Sequence, residues 1–163
     1  MVENNVILKR KHEIKIEPLA NFVDAAIAKY GTESKFEEAE KVVNVLLQLL
    51  KKKRLVRELG YSELNDTLIA AAYLHNLFYD YTVENVNGDL GNWTRLFEAR
   101  YTLSKMEESK NVSDQILYAI FQSIEGQLAD DMPVPYCRVD IGSPAVFLGN
   151  AVFMVKELKE VEI

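Results

Sequence analysis

The chain has 163 residues, of which 48% are hydrophobic and 27% are charged, and its formal net charge is −6. These values are typical of one soluble globular domain. The acidic excess argues against a protein that mainly binds nucleic-acid phosphates, since such proteins present a basic surface. The single cysteine, Cys137, excludes an internal disulfide and a cysteine-rich zinc site, and the only histidines are His12 and His75.

Targeting and membrane signals are missing from the sequence. Residues 1–16 alternate apolar and charged positions and lack the continuous apolar core of a secretory signal. No segment approaches the roughly 18 to 20 apolar residues that span a bilayer. We therefore expect a cytoplasmic protein with neither a membrane nor a nucleic acid as its partner.

Apolar residues recur at helical spacing along most of the chain, which predicts an all-α protein. Helices are expected over 19–30 and 33–58, from Ser62 or Asn65 to about His75, from Asn92, from Ser113, and from Pro144 to about Lys159. Gly31 is a predicted helix stop, and Ser113 and Ser143 are predicted caps. Residues 1–163 are thus predicted to form one compact bundle of about six helices.

The third helix has an unusual run of small residues. Ile69 is followed by Ala70, Ala71 and Ala72. Small side chains let neighbouring helices approach closely, so this helix is predicted to be buried on several sides.

Two segments have a different pattern. Residues 6–16 and 134–141 are rich in β-branched side chains and partly alternate between apolar and polar positions. The first is interpreted as an N-terminal arm or strand within residues 1–16. The two segments could pair as a small two-stranded ribbon on the helical body.

The sequence contains no P-loop, no dinucleotide-binding glycine pattern, no nucleophile elbow and no His-Glu-x-x-His motif. His75 is the histidine in a convincing structural setting, at the end of the apolar third helix. A lone histidine there is usually a hydrogen-bonded packing residue, and that interpretation stands beside a functional one.

The segment from Ile69 to Asp80, with Ala71-Ala72-Tyr73-Leu74-His75-Asn76 at its centre, resembles the central motif of the HD-domain superfamily. Members of this superfamily are metal-dependent phosphohydrolases and phosphodiesterases built on a helical bundle, in which an adjacent His-Asp pair binds a divalent metal. Here the pair is His75-Asn76, so an oxygen donor remains but its negative charge is lost.

The other positions that the resemblance assigns to metal ligands also differ from the family pattern. An earlier helix offers Glu38 or Glu40 in place of a histidine, and a later helix offers Ser123, followed by Glu125. Asn150 lies where the family has its last aspartate. The resemblance therefore implies a degenerate site, with a pocket lined by His75, Asn76, Asp80, Ser123 and Asn150.

Three hypotheses follow for the function. The favoured one is a degenerate HD-like module that lacks metal-dependent catalysis, needs no cofactor, and binds a small phosphorylated or nucleotide-like ligand or a protein. The alternative is an active, divergent phosphohydrolase acting on a nucleotide or an alarmone-like compound. It would use Asp80 and Glu125 in catalysis, with His75 and either Glu38 or Glu40 holding Mn, Fe, Mg or Ni.

The third hypothesis is a scaffold or an oligomerising protein. Its interface would use aromatic residues near the middle of the chain: Tyr79, Tyr81, Phe97 and Tyr101. The sequence leaves the oligomeric state open.

Overall fold

A computed structural model describes residues 8–52, 61–78, 98–129 and 144–157. The helices are α1 (Glu17–Tyr30), α2 (Glu33–Lys52), α3 (Tyr61–Leu74), α4 (98–104), a 3-10 helix (Glu107–Asn111), α5 (Asp114–Ala129) and α6 (Pro144–Glu157). The predicted all-α fold is confirmed, and these helices pack together as a bundle. No helix in the described part of the chain is both long and apolar enough to cross a membrane.

The helix boundaries follow local sequence signals in most cases. At the end of α1, the Gly31 N–H donates to the Ile27 carbonyl at 2.8 Å, and a Cβ atom on residue 31 would lie 2.6 Å from that oxygen. A residue with a side chain would clash there, which explains the predicted stop at Gly31. The predicted cap of α5 is also confirmed, because Ser113 Oγ accepts a hydrogen bond from the Ile116 N–H.

Two boundary predictions have other outcomes. The proposed cap at Ser62 or Asn65 is wrong, because α3 already includes Tyr61. The ribbon was predicted from the N-terminal arm and residues 134–141, and the latter lie outside the described residues. Residues 8–16 are not helical and form no strand with the other parts of the chain that the structure describes.

Helix α3 lies at the centre of the bundle. It contacts α1, α2, α5 and α6, and every residue from Asp66 to Leu77 is buried. Ala70, Ala71 and Ala72 are fully inaccessible to solvent. The prediction of a helix buried on several sides is therefore confirmed, and the small side chains let four neighbours approach one helix.

Helix α2 is buried on one side only. Its inward positions include Ala39, Val42, Val43 and Leu46, whereas Lys41 and Asn44 between them are exposed. This is the spacing of an amphipathic surface helix. Glu40 also occupies an inward position of α2, although its side chain is a carboxylate. It lies four residues after Phe36 and three before Val43.

Candidate functional site

His75 immediately follows the last residue of α3. Its side chain is buried, and its Nδ1 atom lies within hydrogen-bonding distance of the Ala72 carbonyl oxygen. A carbonyl oxygen can only accept, so Nδ1 carries the proton and donates. In the neutral ring this hydrogen bond leaves the lone pair on Nε2.

Asn76 is even more buried, with 1% of its surface exposed. Its Nδ2 donates to the Lys35 carbonyl at 2.9 Å, which fixes the orientation of the amide because that carbonyl accepts only. Its Oδ1 atom has no hydrogen-bond partner among the described residues. An inaccessible amide oxygen without a donor costs free energy, so such an atom calls for an explanation.

The turn that carries this pair is attached to the beginning of α2. Besides accepting from Asn76, Lys35 donates through Nζ to the Leu77 carbonyl at 2.7 Å. The ring of Phe78 packs against Tyr30, at the end of α1, with ring centroids 5.3 Å apart. Residues 75–78 are thus positioned by two neighbouring helices as well as by α3.

Glu40, one of the two carboxylates that the sequence offers as a potential metal ligand, is buried and accepts hydrogen bonds within the fold. Its Oε1 accepts from the Tyr73 hydroxyl at 2.7 Å and its Oε2 from the Lys11 N–H at 2.8 Å. The His12 Nε2 atom lies 3.7 Å from Oε1. A metal bound by Glu40 would have to compete with these donors. Glu38 is half-buried.

Burial, followed by the hydrogen bond to Glu40, raises the pKa of Tyr73 well above its ordinary value. Both causes favour the neutral phenol, since ionisation would place a second negative charge beside the carboxylate. Tyr73 also accepts from the His12 N–H at 3.3 Å and stacks on Phe36. It is therefore a neutral bridge between α2, α3 and the N-terminal arm.

Asp66 is a second buried carboxylate, and the sequence reasoning missed it. It lies on α3 with 3% of its surface exposed, and its Oδ2 accepts from the Ile16 N–H at 2.8 Å. The available signal was an acidic residue in a helix predicted to be buried on several sides. Acidic side chains are rarely buried without a partner, so Asp66 required donors from another segment.

The remaining predicted pocket residues are less completely described. Ser123 on α5 is buried, and its hydroxyl donates to the Ala119 carbonyl at 2.7 Å, one turn earlier in the same helix. Glu125 is in α5 and Asn150 in α6, but their side chains lie outside the described structure, as does all of Asp80. Because α3 packs against both α5 and α6, the helices carrying these residues are neighbours.

The third hypothesis, a scaffold or an oligomerising protein, relies on four aromatic residues. Tyr101 is 58% exposed, whereas Tyr79, Tyr81 and Phe97 lie outside the described residues.

An open groove of about 510 Å³ lies between the beginning of α1 and the 3-10 helix. It is lined by Glu17, Pro18, Asn21, Glu108 and Asn111, none of which is a predicted site residue.

Within residues 8–52, 61–78, 98–129 and 144–157, no three His, Cys, Asp or Glu side chains are grouped closely enough to hold a metal ion. Comparisons of the chain with protein-family models, with curated proteins and with solved structures returned no match.

Proposed function

We propose that this chain is a binding module that lacks metal-dependent catalysis and takes a small, nucleotide-like ligand at the C-terminal end of α3. The observation that carries the proposal is the Oδ1 atom of Asn76, a buried acceptor without a donor among the described residues. An acceptor in this state is complementary to a ligand N–H or O–H group. Nucleotides present both kinds of donor, on the base and on the ribose.

The hydrogen bond from Asn76 to Lys35 favours binding over catalysis. It requires an N–H donor, which the amide has and a carboxylate lacks. An aspartate at this position would place an oxygen against the Lys35 carbonyl oxygen. The amide of Asn76 thus holds the turn against Lys35, which the aspartate that the resemblance implies at this position could not do.

The hydrogen bonds that Glu40 accepts also favour binding over metal-dependent catalysis. Under the alternative hypothesis, His75 would share a metal with Glu38 or Glu40. The carboxylate of Glu40 already accepts from Tyr73 and Lys11, and both donors belong to the fold itself. The resemblance to the HD-domain superfamily supplies the rest of the proposed pocket: Asp80, Ser123 and Asn150.

Isothermal titration with adenine and guanine nucleotides, with and without Mn²⁺, tests this proposal. We expect one nucleotide to bind without metal and no phosphate to be released. Asn76→Ala should weaken binding by about tenfold, because one buried hydrogen bond is lost. The matched control is Asn44→Ala, the same change at an exposed position of α2, which should leave the affinity unchanged.

His75→Ala provides an independent test of where the pocket lies. We expect it to weaken nucleotide binding as well, because His75 is adjacent to Asn76 on the same turn. Binding that survives both substitutions would show that the pocket is elsewhere. Metal-dependent release of phosphate by the wild-type chain would instead establish the phosphohydrolase.

A further inference from the structure

The acceptor proposed to bind the ligand is closed off from solvent. The Oδ1 atom of Asn76 is inaccessible, and the whole residue is 1% exposed. A ligand donor has to come within about 3 Å of this oxygen to form a hydrogen bond. Part of the protein next to Asn76 must therefore move before a ligand can reach it.

The helix before Asn76 is poorly suited to such a movement. Tyr73 and Leu74, the last residues of α3, are each 1% exposed, and α3 packs against α1, α2, α5 and α6. Displacing α3 would separate four buried interfaces at once. Residues 75–78 instead follow the helix as a turn. Local opening takes place where the fewest buried contacts have to be broken, so the turn is the segment that moves at the lowest cost.

Lys35 attaches this turn to α2. Its backbone carbonyl accepts from Asn76 Nδ2 at 2.9 Å, and its Nζ donates to the Leu77 carbonyl at 2.7 Å. The second bond is charge-assisted, because its donor is an ammonium group, and such bonds are stronger than neutral ones. Since α2 packs against α3 and α6, Lys35 connects the turn to a helix that the core holds in place.

Apolar contacts also favour the closed position of the turn. Leu77 is 4% exposed and belongs to the hydrophobic core, and the ring of Phe78 packs against Tyr30. These contacts make the open turn a minor state of the protein. The side chain of Lys35 is only half-buried, so removing its ammonium group weakens the closed state without creating a cavity in the core.

We propose that residues 75–78 form a latch that opens to admit the ligand, and that Lys35 holds this latch closed. The inference rests on the function proposed at Asn76, because the latch controls access to the same acceptor. Lys35 is then a positioning residue that acts through the Leu77 carbonyl. When only a fraction of the protein is open, the observed affinity is reduced by that fraction. Weakening the latch should therefore increase the affinity, whereas losing a residue that binds the ligand would lower it.

Lys35→Met tests the latch by removing the ammonium group while the backbone carbonyl that accepts from Asn76 remains. In isothermal titration we expect this chain to bind AMP or GMP about tenfold more tightly than the wild type, since a bond to a charged donor is lost from the closed state alone. Lys35→Arg retains a charged donor and should stay close to the wild type. Lys41→Met, the same change at an exposed position of α2, should leave the affinity unchanged.

Adenosine and guanosine separate the latch from an attraction between Lys35 and phosphate. They carry the base and ribose donors of the nucleotides without the phosphate charge. We expect Lys35→Met to bind the corresponding nucleoside about tenfold more tightly as well.

Hydrogen–deuterium exchange measures the latch in the absence of any ligand. Mass spectrometry of peptides that contain residues 75–78 should show exchange about tenfold faster in Lys35→Met than in Lys41→Met, because the open fraction rises. Phe78→Ala weakens the latch through its contact with Tyr30 and should also accelerate exchange. Circular dichroism checks that each variant keeps its helical content.

Equal exchange of these peptides in Lys35→Met and Lys41→Met would overturn the latch. So would a folded Lys35→Met chain that binds the nucleotide and the nucleoside no more tightly than the wild type. If neither chain binds any of these compounds, the function proposed at Asn76 fails, and faster exchange in Lys35→Met would still establish that Lys35 holds the turn closed.

Discussion

Two polar sites adjoin α3, one along its length and one just after its last residue, and the fold completes them in different ways. At the first site, the buried carboxylates of Asp66 and Glu40 accept hydrogen bonds from the N-terminal arm, residues 8–16, and from Tyr73. At the C-terminal end of α3, the side chains of His75 and Asn76 bond to backbone carbonyls. There the Oδ1 atom of Asn76 has no donor among the residues that the structure describes.

The difference follows from the cost of burial. An ionised carboxylate without partners in a protein interior costs much more than a neutral amide oxygen without one. A protein can therefore retain an unsatisfied amide for a ligand, whereas buried charges need donors within the fold or from a permanent occupant. We accordingly propose that a ligand binds at Asn76, whereas the N-terminal arm stays on the carboxylates.

The largest expected effect concerns Glu40, at the site beside the N-terminal arm. Glu40→Ala removes the carboxylate that accepts from the Tyr73 hydroxyl and the Lys11 N–H. Because both donors then lack this acceptor, we expect the free energy of unfolding to fall by about 3 kcal/mol. Urea denaturation measures this change. Glu37→Ala, at an exposed position of the same helix, should change stability by no more than about 0.5 kcal/mol. Equal effects of the two substitutions would contradict the role given to Glu40.

The second prediction introduces an acidic side chain at the other site. Asn76→Asp replaces a donor to the Lys35 carbonyl by a buried acid, so we expect a loss of about 2 kcal/mol in urea denaturation. Asn44→Asp makes the same change at an exposed position and should have little effect. A wild-type chain that Mn²⁺ stabilises more strongly than Mg²⁺ would favour the metal-dependent alternative.

The third prediction is a dependence of stability on alkaline pH. Because the pKa of Tyr73 is raised in the fold, its phenol ionises in the unfolded chain at the ordinary value of 10.0 while the folded chain keeps it neutral. Its contribution to stability is therefore complete below pH 10 and declines above it. The loss approaches about 1.4 kcal/mol per pH unit until the folded-state pKa is reached.

Urea denaturation of the wild type and of Tyr73→Phe at pH 9 and pH 11 measures this loss. We expect Tyr73→Phe to lose less stability over this interval than the wild type. Tyr118→Phe, at an exposed tyrosine of α5, should lose as much as the wild type. An identical pH dependence of Tyr73→Phe and the wild type would show that Tyr73 ionises normally in the fold.

The smallest effect is expected at Ser123. Its hydroxyl donates within its own helix, to the Ala119 carbonyl, which already belongs to the helical backbone. Ser123→Ala should therefore change the free energy of unfolding by less than about 0.5 kcal/mol. A larger loss in urea denaturation would show that Ser123 makes a contact beyond α5.

Much of the helical architecture could be predicted because it depends on local patterns. Gly31 ends α1 and Ser113 caps α5 through contacts with residues three or four positions away. The run Ile69–Ala72 indicated burial on several sides because small residues mark close helix packing. The error at the beginning of α3 arose because Ser62 and Asn65 are equally compatible with a cap and with a helix interior.

The candidate site was less predictable, since its contacts join distant parts of the chain. His75 and Asn76 were selected by their motif, but the bond from Asn76 to Lys35 spans 41 positions. Glu40 was selected as a potential metal ligand, and its partners Lys11 and Tyr73 lie 29 and 33 positions away. Asp66 was not selected at all, because nothing near it in sequence identifies the Ile16 N–H as its partner.

The sequence by itself determined an acidic, all-α chain with a central alanine-rich helix and a histidine at its end. These properties follow from composition and from apolar periodicity, which act over a few residues at a time. Only the tertiary structure decided which buried carboxylates the arm would satisfy, and that the Oδ1 atom of Asn76 would have no donor among the described residues. Those outcomes depend on how α1, α2 and α3 bring distant donors and acceptors together, because a hydrogen bond requires its donor and acceptor to lie about 3 Å apart.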